Sequence, residues 1–337
     1  MRSATLPEGV MPMLETSRSL LQRTASAIGW WTSPDRSPGE AAPLPYTLET
    51  LAESAVAGGY AAGIGLGFCL PIKSPASVGF GHANLETQTL VDGETLFRAG
   101  ACTRQITAAA ILLLAERSEL RLHDNVDIFL PGEPGADQVS LRELLLADKA
   151  AYALLGKIVE QVTGESFAAF ATEHLLVPAG MLASRFADPA QLIPHRASGY
   201  RLASDRAHDF HNAGTDHSAT AADGLYTHAG DLLLWNRALY SGRLLARSTI
   251  ELMTTAGAES SGCLILEPFL GRRARGLGLE VGRLFGRRAY WQRGEAPGFD
   301  AWLFHFPDDR ADLALLANTE RGAATILEPM LRAMLRV

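Results

Sequence analysis

Residues 103–118 would form a helix that is apolar almost all round, because residues 108–115 are all Ala, Ile or Leu, including the run Ile111-Leu-Leu-Leu114. This pattern predicts a helix, and a helix that is apolar on all faces is buried. The segment is therefore predicted to be the central helix of the domain. Helical spacing of apolar residues recurs in seven further segments: 48–58, 141–146, 151–162, 167–176, 225–240, 244–254 and 323–335.

Short apolar runs near both ends of the chain have a different pattern. They are bounded by Gly, Pro and Asp, which is typical of β-strands. The predicted strands are 61–70, 76–83, 276–282, 289–293, 299–306 and 313–318. Strands at both ends with helices between them predict an α+β domain built around an antiparallel sheet. The Gly-rich stretch 198–220 is predicted to be a loop.

Residues 33–45 are rich in Pro, Ser and Gly and so have the composition of a linker. They follow an amphipathic stretch at 13–31. The predicted organisation is an N-terminal extension and linker over 1–45, and one folded domain over 46–337 with a mostly helical lobe at about 120–255. A chain of 337 residues is long enough for one large core.

Composition narrows the classes of partner. Hydrophobic residues make up 47% of the chain and charged residues 20%, which are ordinary values for a folded globular protein. The formal net charge of -7 gives no field that would attract nucleic acid or anionic lipid as a main partner. A small molecule is the expected ligand, and the sequence leaves a protein partner open.

The cysteines Cys69, Cys102 and Cys263 are odd in number and far apart, as expected of free thiols in a reducing compartment. The first thirty residues contain no apolar run long enough for a signal segment or a membrane span. We therefore expect a cytoplasmic protein with no membrane association. Neither a cofactor nor a metal is expected, because the cluster of His208, His211 and His217 with Asp209 and Asp216 has no evident second-shell partners.

Seven phrases, in order, resemble the β-lactamase-related family of serine β-lactamases, DD-peptidases and esterases. They are Leu96-Phe-Arg-Ala-Gly100, the segment 120–131, Tyr152-Ala-Leu-Leu-Gly156 with Val162-Thr-Gly164, the segments 176–181 and 224–231, Gly276-Leu-Gly278 and Pro297-Gly-Phe299. The resemblance covers about residues 50–320. It implies a transpeptidase-like fold, in which an antiparallel sheet of five or more strands is flanked by helices. An active site would lie between that sheet and a helical lobe.

The family's chemistry needs a Ser at the start of the buried helix and a Lys one turn later to take its proton. Those positions are occupied here by Ala101 and Arg104. Ala has no nucleophile, and Arg does not lose its proton in proteins. The only lysines, at 73, 149 and 157, each follow a Leu three residues earlier, so no Ser-x-x-Lys exists. The sequence therefore argues against serine hydrolysis.

The family's two other catalytic elements are also altered. Where the family has a longer loop that carries Tyr-x-Asn, only Ala147-Asp-Lys-Ala-Ala151 remains, so either that loop has been cut out or its residues became Ala147 and Lys149. The strand element His-x-Gly or Lys-Thr-Gly corresponds to residues 290–295. There we assign Arg293 to the His or Lys place, beside the retained Gly294 and followed by Glu295.

The resemblance implies that Arg104, Lys149 and Arg293 converge on the vacated cleft beside a helix N-terminus. Such a pocket suits a carboxylate or a phosphate. Arg104, Arg293 and Glu295 are the candidate catalytic residues. The candidate substrate-binding positions are Ala101, Asp148, Lys149 and Tyr152.

Two alternatives remain open for these charges. Arg104 could instead form a structural ion pair with Glu295 or Asp148. Glu295 could be a general base whose pKa is raised by desolvation, or simply an ion-pair partner. Tyr152 could offer a hydroxyl to the pocket or pack the helical lobe.

The leading hypothesis is a repurposed protein that binds a small anionic or carboxylate-bearing molecule. If the protein is an enzyme, the expected reaction is non-covalent acid/base catalysis, such as a cyclisation, elimination or isomerisation in specialised metabolism. The alternatives are an inactive scaffold, or a hydrolase that uses Cys102 or an activated water. Cys102 lies one position further along the helix than the old nucleophile, which turns it about 100° away from the cleft.

Overall fold

The computed structural model describes residues 44–71, 73–186, 188, 191–203, 206–214, 221–259, 268–271 and 273–337. The predicted N-terminal extension therefore lies almost wholly outside the described residues. The same is true of Cys263 and of two members of the histidine and aspartate cluster, Asp216 and His217.

The described strands form one large sheet and two small ones. In the large sheet nine antiparallel strands follow the order β3-β2-β1-β14-β13-β12-β11-β10-β9. Its strands are β1 (Gly63–Leu70), β2 (Lys73–Asn84), β3 (Thr89–Leu90), β9 (Ala258–Glu259), β10 (Arg273–Arg275), β11 (Glu280–Leu284), β12 (Arg287–Ala296), β13 (Phe299–Phe306) and β14 (Ala311–Ala317). The small sheets contain β4 (Phe97–Arg98), β5 (Arg185–Phe186) and β8 (Leu225–Thr227), and β6 (Tyr200–Leu202) with β7 (Phe210–Asn212).

Helices cover both faces of the large sheet. They are α1 (Leu44–Ala57), α2 (Thr103–Glu116), α3 (Leu141–Leu145), α4 (Lys149–Thr163), α5 (Phe167–Ala171), α6 (Val177–Ala179), α7 (Ala229–Tyr240), α8 (Arg247–Met253) and α9 (Ala324–Leu335). A π-helical turn, Thr172–Leu176, joins α5 to α6. This α+β arrangement is the predicted fold class.

The alternation of side chains along each strand separates two cores. In β14, Leu313 and Leu315 point to the face covered by α1 and α9, whereas Ala314 and Leu316 point to the face covered by α2 and the helical lobe. Side chains alternate because successive residues of a strand point to opposite faces. Each fully buried Leu contributes about 1.5–3 kcal/mol of hydrophobic stabilisation, so the sheet is stabilised from both sides.

The predicted central helix is confirmed as α2. Ile106, Ala108 and Ile111 are among its buried side chains, and a short 3₁₀ turn, Gly100–Cys102, precedes it. The end of β12 packs directly against this turn. A Cβ atom at Gly294 would lie 1.8 Å from the Ala99 carbonyl oxygen, so only glycine permits the approach.

Two predicted elements differ from the structure. Residues 225–240 are not one helix: Leu225–Thr227 is strand β8, and α7 begins after His228, whose side chain accepts a hydrogen bond from the Asp231 N–H. The predicted loop 198–220 contains the short strands β6 and β7. In both places a brief extended segment lies inside a stretch whose overall composition favoured another assignment.

Candidate active site

The start of α2 positions the two residues that replace Ser and Lys. Ala101 lies in the 3₁₀ turn, and Arg104 follows one helical turn later on the same face. The strand-to-strand connection at Gly278 passes over this helix. Gly278 has a φ of +83°, and a Cβ there would approach the Arg104 carbonyl oxygen to 2.8 Å. The backbone around Arg104 is therefore closely held.

The Arg104 guanidinium stacks on an aromatic ring. Its central carbon lies 5.5 Å from the centroid of the Tyr152 ring, within the range of a cation–π interaction. Within the described part of the chain, the buried Nε atom of Arg104 has no hydrogen-bond partner, and no carboxylate forms an ion pair with its guanidinium. Burial lowers the pKa of Arg104, yet the group stays cationic because the ordinary arginine pKa is far above neutrality.

Tyr152 supplies its ring to the site, while its hydroxyl is occupied elsewhere. The residue is buried in α4, and its hydroxyl donates a hydrogen bond of 2.6 Å to the Leu145 carbonyl. Burial raises the pKa of this phenol, so it stays protonated. Tyr152 packs the helical lobe and orients Arg104.

Asp148 ends the tight turn that connects α3 to α4, and Lys149 is the first residue of α4. Asp148 pairs with Arg275 of β10, with 2.7 Å between Oδ1 and Nη2. Lys149 pairs with Asp223, whose Oδ2 lies 2.5 Å from Nζ. The predicted structural pairing of Arg104 with Asp148 is therefore wrong, because Asp148 is engaged by Arg275.

The position of Arg293 needs a correction. Gln292 shares its face of β12 with Gly294, next to α2, so Gln292 holds the place that we assigned to Arg293. Arg293 points to the opposite face, where its guanidinium lies 5.0 Å from the ring centroid of Trp302. The error has a simple cause: a pattern of the form His-x-Gly places the first residue two positions before the glycine, on the same side of the strand.

Glu295 and a buried carboxylate both pair with Arg293. Glu295 Oε1 lies 2.9 Å from Arg293 Nη2, and Asp300 Oδ1 lies 3.4 Å from Nε. Glu295 is 61% exposed, so it lacks the enclosure that the general-base hypothesis required, and its predicted pairing with Arg104 is wrong. Asp300 is fully buried, and this burial raises its pKa to about 6 in spite of the neighbouring Arg293. The sequence analysis missed Asp300.

One open cavity of about 420 Å³ lies at this position and has all seven predicted site residues in its lining. Ala101, Arg104 and Tyr152 line it on the side of α2. Arg293 and Glu295 belong to the other side of β12. β11 pairs with β12 only as far as Trp291, so among the described residues no strand pairs with residues 292–296 on that edge. The turn Gly100–Cys102 packs against part of this free edge. The predicted residues thus surround one cavity, although their roles remain predictions.

Cys102 is a core thiol. It is 2% exposed, its Sγ lies 3.5 Å from the Gln292 carbonyl oxygen, and burial raises its pKa. A thiolate is the reactive form of cysteine, so this position argues against Cys102 as a nucleophile.

Several cavity residues were missed by sequence reasoning. They are Asp223, which also pairs with Arg98, the ion pair of Arg273 and Glu280, and Arg275, Trp291 and Trp302. These residues are far from Arg104 along the chain, so no local sequence pattern predicts that they lie near it. The one available signal was the density of arginines in residues 272–293.

A transpeptidase-like fold with its cleft at the start of α2 defines the class of protein, and a family comparison gives the particular family. The Beta-lactamase family model matches residues 48–147 and 148–333. The chain belongs to the Beta-lactamase family.

The relatives of this chain are distant. The putative penicillin-binding protein PbpX of Bacillus subtilis (strain 168) is 24% identical over 282 residues, covering 73% of this chain and 68% of the relative. Penicillin-binding protein 4* of the same organism is 22% identical over 305 residues, covering 72% and 64%. Thus the chain spans about two thirds of the length of these curated relatives.

A solved structure supports the fold. The D-amino acid amidase from Ochrobactrum anthropi SV3, complexed with L-phenylalanine amide, superposes with a TM-score of 0.75 at 20% identity, covering 87% of this chain and 99% of the amidase. Among the described residues, no helix is long and apolar enough to cross a membrane.

Proposed function

We propose that this protein binds a small molecule bearing a single carboxylate or a similar monoanionic group, with Arg104 as the anion receptor. Any reaction that it carries out on that molecule is non-covalent acid/base chemistry, without an acyl-enzyme. The observation behind the proposal is that Arg104, at the position where the family's catalytic Lys would stand, forms no ion pair with any described residue.

The charges of the cavity lining support a monoanion. Five cationic and four acidic side chains line the cavity. Each of the four carboxylates pairs with a different cation of the lining: Asp223 with Lys149, Asp148 with Arg275, Glu295 with Arg293 and Glu280 with Arg273. Asp223 also pairs with Arg98, which lies outside the lining. Arg104 is the cation of the lining that forms no ion pair with a described carboxylate. A buried N–H without an acceptor, such as its Nε, is unfavourable, and a carboxylate is the acceptor that a guanidinium binds best.

The openness of the site also supports a ligand over a scaffold. In an inactive scaffold, ion pairs would fill the vacated cleft. Ion pairs are present, yet a cavity of about 420 Å³ remains beside Arg104, within the size range of small-molecule sites. Because the related amidase structure contains an amino acid amide, amino acids and simple aryl acids are suitable first probes.

The first experiment measures ligand binding by thermal shift and calorimetry. The probes are N-acetyl-D-phenylalanine, N-acetyl-L-phenylalanine and phenylacetate, each compared with its uncharged primary amide. We expect at least one acid to bind, its amide to bind at least tenfold more weakly, and Arg104→Gln to remove the preference, because a hydrogen bond to a charged group contributes about 1.5–3 kcal/mol. Arg247→Gln on the exposed start of α8 is the matched control and should leave binding unchanged.

The proposal also predicts an absence of covalent chemistry. Fluorescent penicillin and a fluorophosphonate probe should label neither the wild-type protein nor Cys102→Ser. Stable labelling of any residue would overturn the non-covalent mechanism. Equal binding of acids and amides would overturn the assignment of Arg104 as an anion receptor.

A further inference from the structure

The part of the cavity beyond β12 differs from the part beside α2. Its lining includes Leu270, Trp291 and Trp302, each at most 1% exposed. These side chains belong to the core between the sheet and helices α1 and α9. A ligand that extends past the free edge of β12 would therefore meet an aromatic, apolar wall.

One polar atom in this wall has no partner. The indole Nε1 of Trp302 is buried and makes no hydrogen bond to any described residue. An indole N–H can only donate, and leaving a buried donor unsatisfied costs about 1–3 kcal/mol. Most buried polar groups in proteins do have a partner, so this atom needs an acceptor.

The neighbouring protein acceptors are already engaged. Asp300 Oδ1 faces Arg293, and its Oδ2 accepts a hydrogen bond from the Ala323 N–H. Glu295 pairs with the same arginine. With two carboxylates around one cation, this side of β12 carries no surplus positive charge, and a second anionic group on the ligand would be disfavoured there. A neutral acceptor such as a ketone, ester or amide carbonyl fits the environment.

We infer that the ligand of this cavity is a monoanion with an apolar body and a neutral carbonyl, in which the anion contacts Arg104 and the carbonyl accepts the Trp302 N–H across the free edge of β12. This inference rests on the proposed function, since it takes Arg104 as the anchor. It narrows the ligand class to acyl- or keto-substituted hydrophobic acids.

The experiment uses matched acids of three lengths. The probes 4-oxo-4-phenylbutanoate, 5-oxo-5-phenylpentanoate and 6-oxo-6-phenylhexanoate are each compared with the phenylalkanoate of the same length that lacks the ketone. For the length that spans the two sites, we expect the ketone to strengthen binding about three- to tenfold, as one net hydrogen bond would. Trp302→Phe keeps a ring under Arg293 but removes the donor, so on this variant the ketone and the ketone-free acid of the same length should bind with equal affinity.

The outcomes separate the two claims. If acids bind in an Arg104-dependent manner but no length shows a ketone advantage, or if Trp302→Phe retains that advantage, this inference is overturned and the proposed function stands. If none of the acids binds, the proposed function fails and the inference with it. The thermal unfolding midpoint of Trp302→Phe, and its affinity for the ketone-free acids, show whether the variant is folded.

Discussion

Two arginines on opposite sides of β12 have contrasting environments. Arg293 stacks on Trp302 and pairs with both the buried Asp300 and the exposed Glu295. Arg104 stacks on Tyr152 in the same manner, but no described carboxylate pairs with it. Both cations lie on an aromatic face, and only Arg293 forms an ion pair with a described carboxylate.

This difference separates a structural cation from a receptor. The charge of Arg293 is compensated within the fold, so removing a partner should disturb folding. Arg104 forms no ion pair with a described carboxylate, so under the proposed function its partner is a ligand, and removing Arg104 should disturb binding more than folding. The following changes test that division.

The largest expected effect on stability is that of Asp300→Ala. Truncation leaves Arg293 with only an exposed carboxylate, and it leaves the Ala323 N–H without its acceptor. Breaking a buried ion pair typically costs about 3–5 kcal/mol, and because Glu295 remains we expect about 2–4 kcal/mol. The free energy of unfolding from urea denaturation at pH 7 measures it.

Arg104→Gln is the matched comparison in the same assay. We expect a change of less than about 1 kcal/mol, because this substitution breaks no ion pair and also removes the unfavourable burial of a charge. If Arg104→Gln lowered the free energy of unfolding as much as Asp300→Ala does, Arg104 would be a structural cation, and the distinction between the two arginines would be contradicted.

An intermediate effect is expected from pH. Burial raises the pKa of Asp300 to about 6, above the value of about 3.9 for an unfolded Asp. The folded state therefore binds this proton more tightly, and the contribution of Asp300 to stability falls as pH rises from about 4 through 6. The difference of about two pKa units between the folded and unfolded states corresponds to at most about 3 kcal/mol in the free energy of unfolding.

Asp300→Asn isolates this contribution, because it keeps the shape of the side chain and cannot titrate. The difference in unfolding free energy between Asp300→Asn and the wild type should shift in favour of the variant from pH 4 to pH 6.5. A difference that stays constant with pH would show that Asp300 titrates normally. Other carboxylates cancel in the subtraction.

The scaffold was largely predictable from the sequence. Helix α2 is apolar all round, and the strand Phe299–Phe306 is bounded by clear turn residues, so local pattern alone placed both. Family phrases such as Gly276-Leu-Gly278 reflect backbone constraints that the structure shows directly, as in the close approach of Gly278 to Arg104.

The partners in the site were less predictable. Arg104 and Tyr152 were identified as site residues, but the stacking of one on the other depends on how α2 and α4 pack. The face of β12 taken by Arg293 could have been derived from strand alternation, counting back from Gly294. The pairing of Asp223 with Lys149, and of Arg275 with Asp148, depends on contacts between residues 74 and 127 positions apart, for which the sequence contains no local signal.

The smallest expected effect concerns Asp148, on the Arg104 side of the comparison. This residue is 79% exposed, and exposed ion pairs contribute about 0–1 kcal/mol. Asp148→Asn should therefore change stability by less than about 0.5 kcal/mol.

The same substitution removes one of the four acidic side chains from the cavity lining and leaves Arg275 as a second cation without a carboxylate partner among the described residues. The affinity for a monocarboxylate should consequently rise about two- to threefold at low salt, and the gain should diminish at 0.5 M NaCl because screening weakens charge interactions at exposed sites. Calorimetry at the two salt concentrations measures this gain. Unchanged affinity at low salt would mean that the anion does not sense the charge at the cavity mouth, whereas weaker binding would show that Asp148 contacts the ligand itself.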